Sequence, residues 1–211
     1  KKVSLSNKDH FSLKNFNKKY KIKFTSSPFS VERAKFLCEN LKIKTIKIAS
    51  CKMINTPLLK YLNKNCDKIF LSTGASTINE IKNSLKKLSN VEVKILHCVS
   101  EYPLKYQNAN LRAIEVLKDK FPNNEIGYSD HAIGNLASLT AISLGATIIE
   151  KHFTLNKSHE GTDHILSATK DELKELRITG DNIFLLRGNR EKKPSKTEKK
   201  IKNFIRNRFK N

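Results

Sequence analysis

The sequence predicts an α/β fold with a parallel sheet, and three observations support this prediction. Six short apolar segments alternate with stretches of helical periodicity between residues 21 and 149. Most of these segments are apolar almost throughout, as expected for strands that are covered on both faces. Each segment ends in a polar cluster. Parallel strands joined by right-handed crossovers place their carboxyl ends along one edge, so the polar clusters should meet there.

Local signals indicate where the elements begin. Residues 1–20 predict a polar entry followed by a helix. Pro57 suits the first turn of another helix, because a proline there loses no hydrogen bond. Thr77 and Glu80 have the spacing of a capping box, which starts a third helix. The six predicted strands are residues 22–24, 45–49, 68–71, 91–98, 125–127 and 146–149. The remaining predicted helices are residues 31–41, 111–118, the small-residue stretch after residue 131, and residues 173–186.

Six strands leave a choice between an open sheet and part of an eight-stranded barrel. No GxGxxG or GxxxxGK[ST] motif occurs, so the usual nucleotide-binding fingerprints are excluded. An open sheet concentrates its ligand at one switch point, whereas a barrel draws residues from many strand ends. Because polar clusters follow all six predicted strands, the sequence favours a barrel.

The length and composition indicate one soluble globular domain. The chain has 211 residues, of which 38% are hydrophobic and 29% are charged. No apolar run approaches the ~20 residues of a membrane span, and no signal-peptide pattern opens the chain. The four cysteines have neither CxxC nor zinc-ligand spacing, so we expect free thiols and a cytoplasmic location. Cys38 and Cys98 lie in apolar patterns and should be buried.

The net charge of +21 would suit a nucleic-acid-binding protein, but the distribution of the lysines argues against it. They are scattered over nearly every helical segment, and the densest clusters are residues 18–21 and the tail from Arg187. Nowhere do aromatic side chains alternate with base-reading ones. We therefore expect no nucleic-acid partner.

The strand ends carry hydroxyls, a lysine and two histidines. In chain order they are Ser26-Ser27, Lys47 with Ser50, Ser72-Thr73, Ser100 with Tyr102, Ser129-Asp130-His131 and Glu150-Lys151-His152. Several hydroxyls and a lysine around one centre suit a phosphate, and two histidines on adjacent strands suit a divalent metal. Each feature also has a structural explanation. A strand-end serine can cap the next helix, a histidine can be structural, and Asp130 can orient His131 or cap the next helix.

Ordered motifs across nearly the whole chain resemble those of a known family. They are FTSSPF (24–29), KIAS (47–50), LSTGAS (71–76), LHCVSEYP (96–103), NLRAI (110–114), GYSDH (127–131), LGATIIEKHFT (144–154) and GTDH (161–164). In this order and at this spacing they resemble the N-acetylneuraminate synthase (sialic acid synthase) family.

The resemblance implies a TIM (β/α)8 barrel that condenses phosphoenolpyruvate with an N-acetylmannosamine-type sugar, giving a nine-carbon 2-keto-3-deoxy acid and phosphate. It implies that His131 and His152 hold a divalent metal, usually Mn2+ and alternatively Mg2+ or Co2+. The residues that it places around phosphoenolpyruvate are Ser27, Lys47, Ser50, Ser72, Ser100 and Ser129. It places Tyr102 and Asp163 beside the sugar or the metal-side hydroxyls, so the expected catalytic residues are His131, His152, Lys47 and Tyr102.

The resemblance leaves the sugar open among N-acetylmannosamine, its phosphate, and legionaminic or pseudaminic acid precursors. It implies a homodimer for the full-length protein. Residues 1–186 would form a partial barrel that lacks the first two strands and has six parallel strands. Residues 187–211 would form a basic linker toward an antifreeze-like domain outside the chain.

Two substitutions depart from the pattern of the family. Cys51-Lys52 stands where the family has Gly-Glu, and Thr162 stands where it has a proline. Because Lys52 replaces a carboxylate with a cation and the first two strands are missing, we predict little or no activity from this chain alone. The alternative is an inactive phosphate- or metal-binding remnant of the barrel.

Overall fold

Five parallel strands form one sheet in the part of the chain that the computed structural model describes, residues 5–20, 22–189 and 191–208. The strands are β1 (Thr45–Ile48), β2 (Lys68–Ser72), β3 (Glu92–Cys98), β4 (Ile126–Asp130) and β5 (Ile149–Lys151). Their order in the sheet is their order in the chain, and the sheet curls into a half-barrel. The predicted α/β class with a parallel sheet is therefore confirmed.

Helices precede, connect and follow the strands. They are α1 (Asn7–Tyr20), α2 (Val31–Lys35), α3 (Thr56–Asn65), α4 (Ile78–Lys87), α5 (Ala113–Lys120), α6 (Leu136–Ser143), α7 (Lys170–Arg187) and α8 (Lys196–Asn207). The capping box of α4 is confirmed, because the Thr77 hydroxyl accepts a hydrogen bond from the Glu80 amide and the Glu80 carboxylate accepts one from the Thr77 amide. Over the described ranges, no helix is long and apolar enough to cross a lipid bilayer.

The predicted helix over residues 31–41 divides into two parts. Its first turns form α2, and the chain then continues as a π-helical turn, Phe36–Asn40. A π-helical turn accommodates one extra residue per turn and is rare. Leu41 closes this turn by donating its amide hydrogen to the Phe36 carbonyl oxygen at 3.1 Å.

The predicted strand at residues 22–24 was wrong. Two contacts fasten the segment that follows it to β1: the Thr25 hydroxyl donates to the Thr45 carbonyl oxygen, and the Lys47 amide donates to the Ser26 carbonyl oxygen. Within the described residues this single backbone bond is too little for a ladder, and Pro28 has no amide hydrogen to extend it. In the described ranges the sheet therefore has five strands where six were expected.

The last two strands lie further along the chain than predicted. β4 continues through Asp130, so Ser129 and Asp130 are part of the strand. β5 starts only at Ile149, although residues 147 and 148 already hydrogen-bond to β4 through Ile126 and Tyr128. The shift places the polar residues Glu150 and Lys151 within the sheet.

Alternation along the strands separates an apolar outer face from a polar inner face. The outer side chains, among them Ile46, Ile48, Ile69, Leu71, Ile95 and Tyr128, form the core with the helices. The register pairs Ser72 with Leu96, Cys98 with Ser129, and Ser129 with Glu150, and these residues are all on the inner face. The carboxyl end of the inner face therefore carries Lys47, Ser72, Cys98, Ser129 and Glu150 from five successive strands.

A buried ion pair joins β4 to β5 on the outer face. The Lys151 ammonium lies 2.8 Å from the Asp130 carboxylate, and the two side chains are 2% and 0% exposed. The same carboxylate accepts hydrogen bonds from the Ser138 hydroxyl of α6 and from the Ala132 amide. Lys151 also donates to the Ala132 carbonyl oxygen. Asp130 therefore has a structural role, in which it holds Lys151 and Ser138 of α6 and does not orient the His131 ring as the sequence had suggested.

Removing one partner of this pair should destabilise the fold strongly. Asp130→Ala leaves the buried Lys151 ammonium without a counter-charge, so we expect the free energy of unfolding to fall by about 3–5 kcal/mol in urea denaturation. The control is Asp181→Ala, which removes the exposed partner of Arg177 on α7 and should cost at most about 0.5 kcal/mol. Equal losses in the two variants would contradict the structural role of Asp130.

Candidate active site

A glycine at the end of β2 gathers two serines and a cysteine around it. The Gly74 amide donates a hydrogen bond of 2.9 Å to Ser50 Oγ. A Cβ atom at Gly74 would lie 2.4 Å from Ser100 Oγ, 2.8 Å from Ser50 Oγ and 3.3 Å from Cys98 Sγ. The three side chains therefore pack directly against the backbone of residue 74, and two hydroxyls from different strand ends share one small space.

Cys98 lies at the centre of this group. The hydroxyls of Ser50 and Ser129 are both within hydrogen-bonding reach of its thiol. Burial raises the pKa of Cys98, while these two hydroxyls and the charge of Lys47 oppose the rise. The thiol is therefore protonated at neutral pH. The sequence correctly predicted that Cys98 is buried, but its place between two predicted substrate-binding serines was missed.

Glu150 connects the lysine of β1 to the serine of β4. Lys47 Nζ lies 3.2 Å from Glu150 Oε1, and Ser129 Oγ donates a 2.7 Å hydrogen bond to the same oxygen. The Lys47 side chain is only 13% exposed, so solvent screens this charge less than it would a surface lysine. Sequence analysis named Glu150 in a strand-end cluster but not as a site residue. A signal for this role was available, because side chains alternate along a strand and Glu150 therefore lies on the same face as His152.

The hydroxyl groups of Ser72 and Thr73, at the end of β2, differ in their hydrogen bonding. Thr73 donates its hydroxyl hydrogen to the Leu96 carbonyl oxygen at 2.9 Å, so its role is structural. The Ser72 hydroxyl is buried on the inner face and has no hydrogen-bond partner among the described residues. An unpaired buried hydroxyl costs about 1–3 kcal/mol, and a bound oxyanion would remove this cost.

The two predicted metal ligands lie beside each other. The ring centroids of His131 and His152 are 5.5 Å apart, with the rings at 67°. His131 Nδ1 lies 2.8 Å from the Val99 carbonyl oxygen, and because a carbonyl only accepts, Nδ1 carries the hydrogen and Nε2 has the free lone pair. Burial lowers the pKa of His131, and the hydrogen bond to Val99 opposes this shift. The nearby charge of His152 lowers the pKa of His131 further. The His131 ring is therefore neutral.

The histidine pair fits a divalent metal as part of a ligand set. A neutral imidazole whose other nitrogen donates to a carbonyl is the usual form of a metal-binding histidine. Asp163 Oδ2 lies 3.8 Å from His152 Nδ1, an ion-pair distance. No group of three or more His, Cys, Asp or Glu side chains in residues 5–20, 22–189 and 191–208 is arranged to hold a metal ion. The pair thus offers two protein ligands and leaves the other positions to substrate or water.

Tyr102 covers the histidine pair. Its ring centroid lies 4.0 Å from that of His131 and 6.0 Å from that of His152. Burial raises the pKa of Tyr102, and the negative charge of Asp163 raises it further. The phenol is therefore a hydrogen-bond donor at neutral pH. A bond from the Leu104 amide to the His131 carbonyl oxygen fixes the Tyr102 loop against β4.

Two residues highlighted by the sequence are outside this cluster. Ser27 lines a groove with Ser26, Phe29 and Arg33, and no hydrogen bond joins its side chain to the other candidate residues within the described ranges. Lys52, in the position of a family glutamate, has its ammonium 5.8 Å from the centroid of the Phe29 ring. The structure thus brings together Lys47, Ser50, Ser100 and Ser129 on one side and Tyr102, His131, His152 and Asp163 on the other.

A parallel half-barrel with polar residues at the carboxyl ends of its strands has the architecture of a barrel enzyme. The particular family is shown by comparison: the chain belongs to the NeuB family, whose model matches residues 1–192. An N,N'-diacetyllegionaminic acid synthase of Campylobacter jejuni is 41% identical over 210 residues, covering 97% of this chain and 62% of that protein. An N-acetylneuraminate-9-phosphate synthase of Drosophila melanogaster is 36% identical over 186 residues, or 87% of this chain and 50% of that protein.

Solved structures agree with the family. The sialic acid synthetase of Leptospira borgpetersenii, solved with citrate, superposes with a TM-score of 0.91 at 32% identity, over 98% of this chain and 73% of that one. A truncated 3-deoxy-D-arabino-heptulosonate 7-phosphate synthase of Thermotoga maritima has a TM-score of 0.74 at 18% identity over 88% of this chain and 74% of that one, which shows a shared fold. The chain spans about three fifths of the length of the first curated relatives that it matches.

Adding a methyl group at residue 74 should disturb the two serines. In Gly74→Ala we expect the free energy of unfolding to fall by about 1 kcal/mol, the low end for an overpacked site, because serine hydroxyls can rotate aside. Ser100→Ala in the Gly74→Ala background removes the closest contact and should recover part of this loss. Thermal and urea unfolding of the two single variants and the double variant measure the coupling. Additive losses would show that Gly74 and Ser100 do not touch.

Proposed function

We propose that the carboxyl-end cluster is the active site of a sialic-acid-type synthase, which condenses phosphoenolpyruvate with an N-acetylmannosamine-type sugar. The products would be a nine-carbon 2-keto-3-deoxy acid and phosphate. The observation that carries the proposal is the arrangement of a lysine and three serine hydroxyls beside a histidine pair on one face of the sheet. Membership of the NeuB family supports the reaction type.

The serine and lysine side of the cluster suits the phosphate and carboxylate of phosphoenolpyruvate. Lys47 supplies a largely buried ammonium group, and the hydroxyls of Ser50, Ser100 and Ser129 supply donors from three strand ends. The unpaired Ser72 hydroxyl is a further donor. Such preplaced donors can hold the phosphate and stabilise the charge that develops on it as the carbon–oxygen bond breaks.

Glu150 would keep Lys47 in position for this binding. Its carboxylate contacts both the Lys47 ammonium and the Ser129 hydroxyl, so it holds the two donors together. The Lys47 ammonium has three hydrogens and can bind a ligand while it contacts Glu150, whereas the Ser129 hydroxyl has one hydrogen and must turn from Glu150 to donate it to a ligand. Binding of an anion would therefore exchange the Ser129–Glu150 bond for a Ser129–ligand bond.

The histidine side of the cluster suits the sugar. His131 and His152 would hold a divalent metal, which we propose to be Mn2+ with Mg2+ or Co2+ as alternatives, and which would polarise the sugar aldehyde. Tyr102 can donate a hydrogen bond to a sugar hydroxyl, and Asp163 can accept one. Ser27 would contribute only if its loop moved toward the cluster.

The proposed condensation forms one carbon–carbon bond and breaks one carbon–oxygen bond. The enol carbon of phosphoenolpyruvate attacks the aldehyde carbon, which forms the new carbon–carbon bond and leaves a cation at the carbon that bears the phosphate ester. Water adds to that cation and loses a proton, and the former aldehyde oxygen takes up a proton and becomes a hydroxyl group. Cleavage of the carbon–oxygen bond then releases phosphate and leaves the 2-keto group. The side chains on the two sides of the cluster contribute by bringing the reacting carbons together.

The anion site is tested by calorimetric titration of phosphoenolpyruvate into the 211-residue chain. Lys47→Gln removes the positive charge at the cluster, so we expect affinity to fall roughly tenfold or more. Lys68→Gln is the matched control, since Lys68 lies on the same face at the other end of the sheet, where it pairs with Glu92 at 3.0 Å. It should change affinity less than about twofold. Equal losses would indicate a general effect of net charge and would overturn the site.

The metal site is tested by the loss of the free Mn2+ signal in electron paramagnetic resonance. His131→Ala and His152→Ala should each weaken binding roughly tenfold or more, whereas His159→Ala, an exposed histidine outside the cluster, should not. Because burial lowers the pKa of His131, this ring stays neutral as the pH falls to about 6.5. In His152→Ala, where His131 is the remaining histidine of the pair, Mn2+ affinity should therefore hold within roughly threefold between about pH 7.5 and 6.5. A steeper loss in that variant would contradict the neutral ring.

Turnover is a separate question, because the chain spans only part of its relatives. We expect little or no phosphate release from phosphoenolpyruvate by this chain with Mn2+ and N-acetylmannosamine. Joining the chain to the parts of a NeuB relative that it does not span should restore release. Metal and phosphoenolpyruvate binding without turnover in that joined protein would favour the inactive remnant, and Lys52→Glu would then test whether the cation at residue 52 is the cause.

A further inference from the structure

Two buried cysteines face each other at the amino end of the sheet, away from the strand ends that carry the candidate active site. Cys38 Sγ and Cys66 Sγ are 3.4 Å apart. The residues are 5% and 7% exposed, and both are free thiols. Cys66 ends α3 just before β2, and Cys38 lies in the π-helical turn Phe36–Asn40. Sequence analysis had expected both to be free thiols and had placed only Cys38 of the two in an apolar pattern.

The geometry is close to that of a bonded pair. A disulfide requires the sulfur atoms to approach to about 2.0 Å, so the distance between the two sulfur atoms has to shorten by about 1.4 Å. One partner lies in a π-helical turn, where the hydrogen-bond pattern departs from that of a regular helix. The other lies where α3 ends, held by a bond from its amide to the Leu62 carbonyl oxygen. Neither sulfur lies in the middle of a rigid element.

The chemistry of the two thiols differs. The hydrogen bond between the two sulfur atoms, with Cys66 as the donor, lowers the pKa of Cys38 against the effect of burial, and the positive charge of Lys44 lowers the pKa of both thiols. The same hydrogen bond, together with burial, raises the pKa of Cys66. Cys38 is thus the thiol that more readily becomes a thiolate, which is the form that reacts with oxidants.

We propose that Cys38 and Cys66 form a reversible intramolecular disulfide when the protein meets a hydroperoxide. The Cys38 thiolate attacks one oxygen of the peroxide, and the O–O bond breaks. The attacked oxygen becomes part of a sulfenic acid on Cys38, and with hydrogen peroxide the other oxygen takes up a proton and leaves as water. The Cys66 thiol then attacks the Cys38 sulfur, which forms the S–S bond and releases a second water. The two thiols are oxidised and the peroxide is reduced. A thiol reductant reverses the reaction through a mixed disulfide.

The bond would enclose the segment that carries the lysine of the active site. Residues 39–65 include β1, with Lys47, the Ser50 turn and α3. Cross-linking the two ends of this segment restricts the unfolded chain more than the folded one, because the folded chain already holds the sulfur atoms together. Oxidation should therefore raise the melting temperature while leaving the strand-end cluster in place.

The test uses the 211-residue chain with Cys51→Ser, which removes the exposed cysteine and hence a route to intermolecular disulfides. The folded protein is treated with hydrogen peroxide, the remaining thiols are alkylated after denaturation, and the digest is analysed by mass spectrometry. We expect one peptide pair joined through Cys38 and Cys66, with Cys98 still alkylated. The melting temperature should rise by roughly 5–10 °C and return after reduction.

Cys38→Ser and Cys66→Ser in the same background are the matched controls, and each should lose both the cross-link and the rise in melting temperature. A sulfenic-acid probe should label Cys38 in the Cys66→Ser variant, where the second thiol cannot resolve it. Cys38→Ala serves as a second variant should serine in the core destabilise the fold. Peroxide that leaves both thiols free, or drives either to a sulfinic acid without a cross-link, would overturn the proposal.

Discussion

The geometry of the candidate site depends on the buried ion pair between Asp130 and Lys151. Each partner lies between two residues of the inner face: Asp130 between Ser129 and His131, Lys151 between Glu150 and His152. Because side chains alternate along a strand, fixing the outer pair fixes the inner neighbours as well. The bonds to Ser138 and Ala132 compensate the cost of burying the charges and attach α6 to the same point. A structural interaction on one face thus sets the distance between functional groups on the other.

The two faces of the sheet are stabilised by different interactions. Aliphatic side chains cover the outer face, where the helices exclude water and the apolar strands can be buried. The inner face carries Lys47 and Glu150, which remain 13% and 38% exposed. These charges keep part of their hydration and neutralise each other, which lets a charged cluster persist inside a curled sheet. The same partial exposure lets solvent reach the cluster.

Particular residues show where reasoning from sequence succeeded and where it stopped. The strand over residues 91–98 and the capping box at Thr77 were predicted because their signals are local. The strand at residues 22–24 was wrong, since an apolar segment becomes a strand only when a neighbour completes its ladder. Glu150 was missed as a partner of Lys47 because the two residues are about a hundred positions apart and meet only through the register of five strands.

By itself, the sequence determined the α/β class, the polar strand ends and the resemblance to the sialic acid synthases, since periodicity and ordered motifs are properties of the chain. The tertiary structure decided which of those polar residues meet. It turned Asp130 toward α6, set Cys98 between Ser50 and Ser129, and left Ser27 in a separate groove. Curvature and register fix such contacts between strands, and neither is encoded in any one segment, because both arise only when the strands pair.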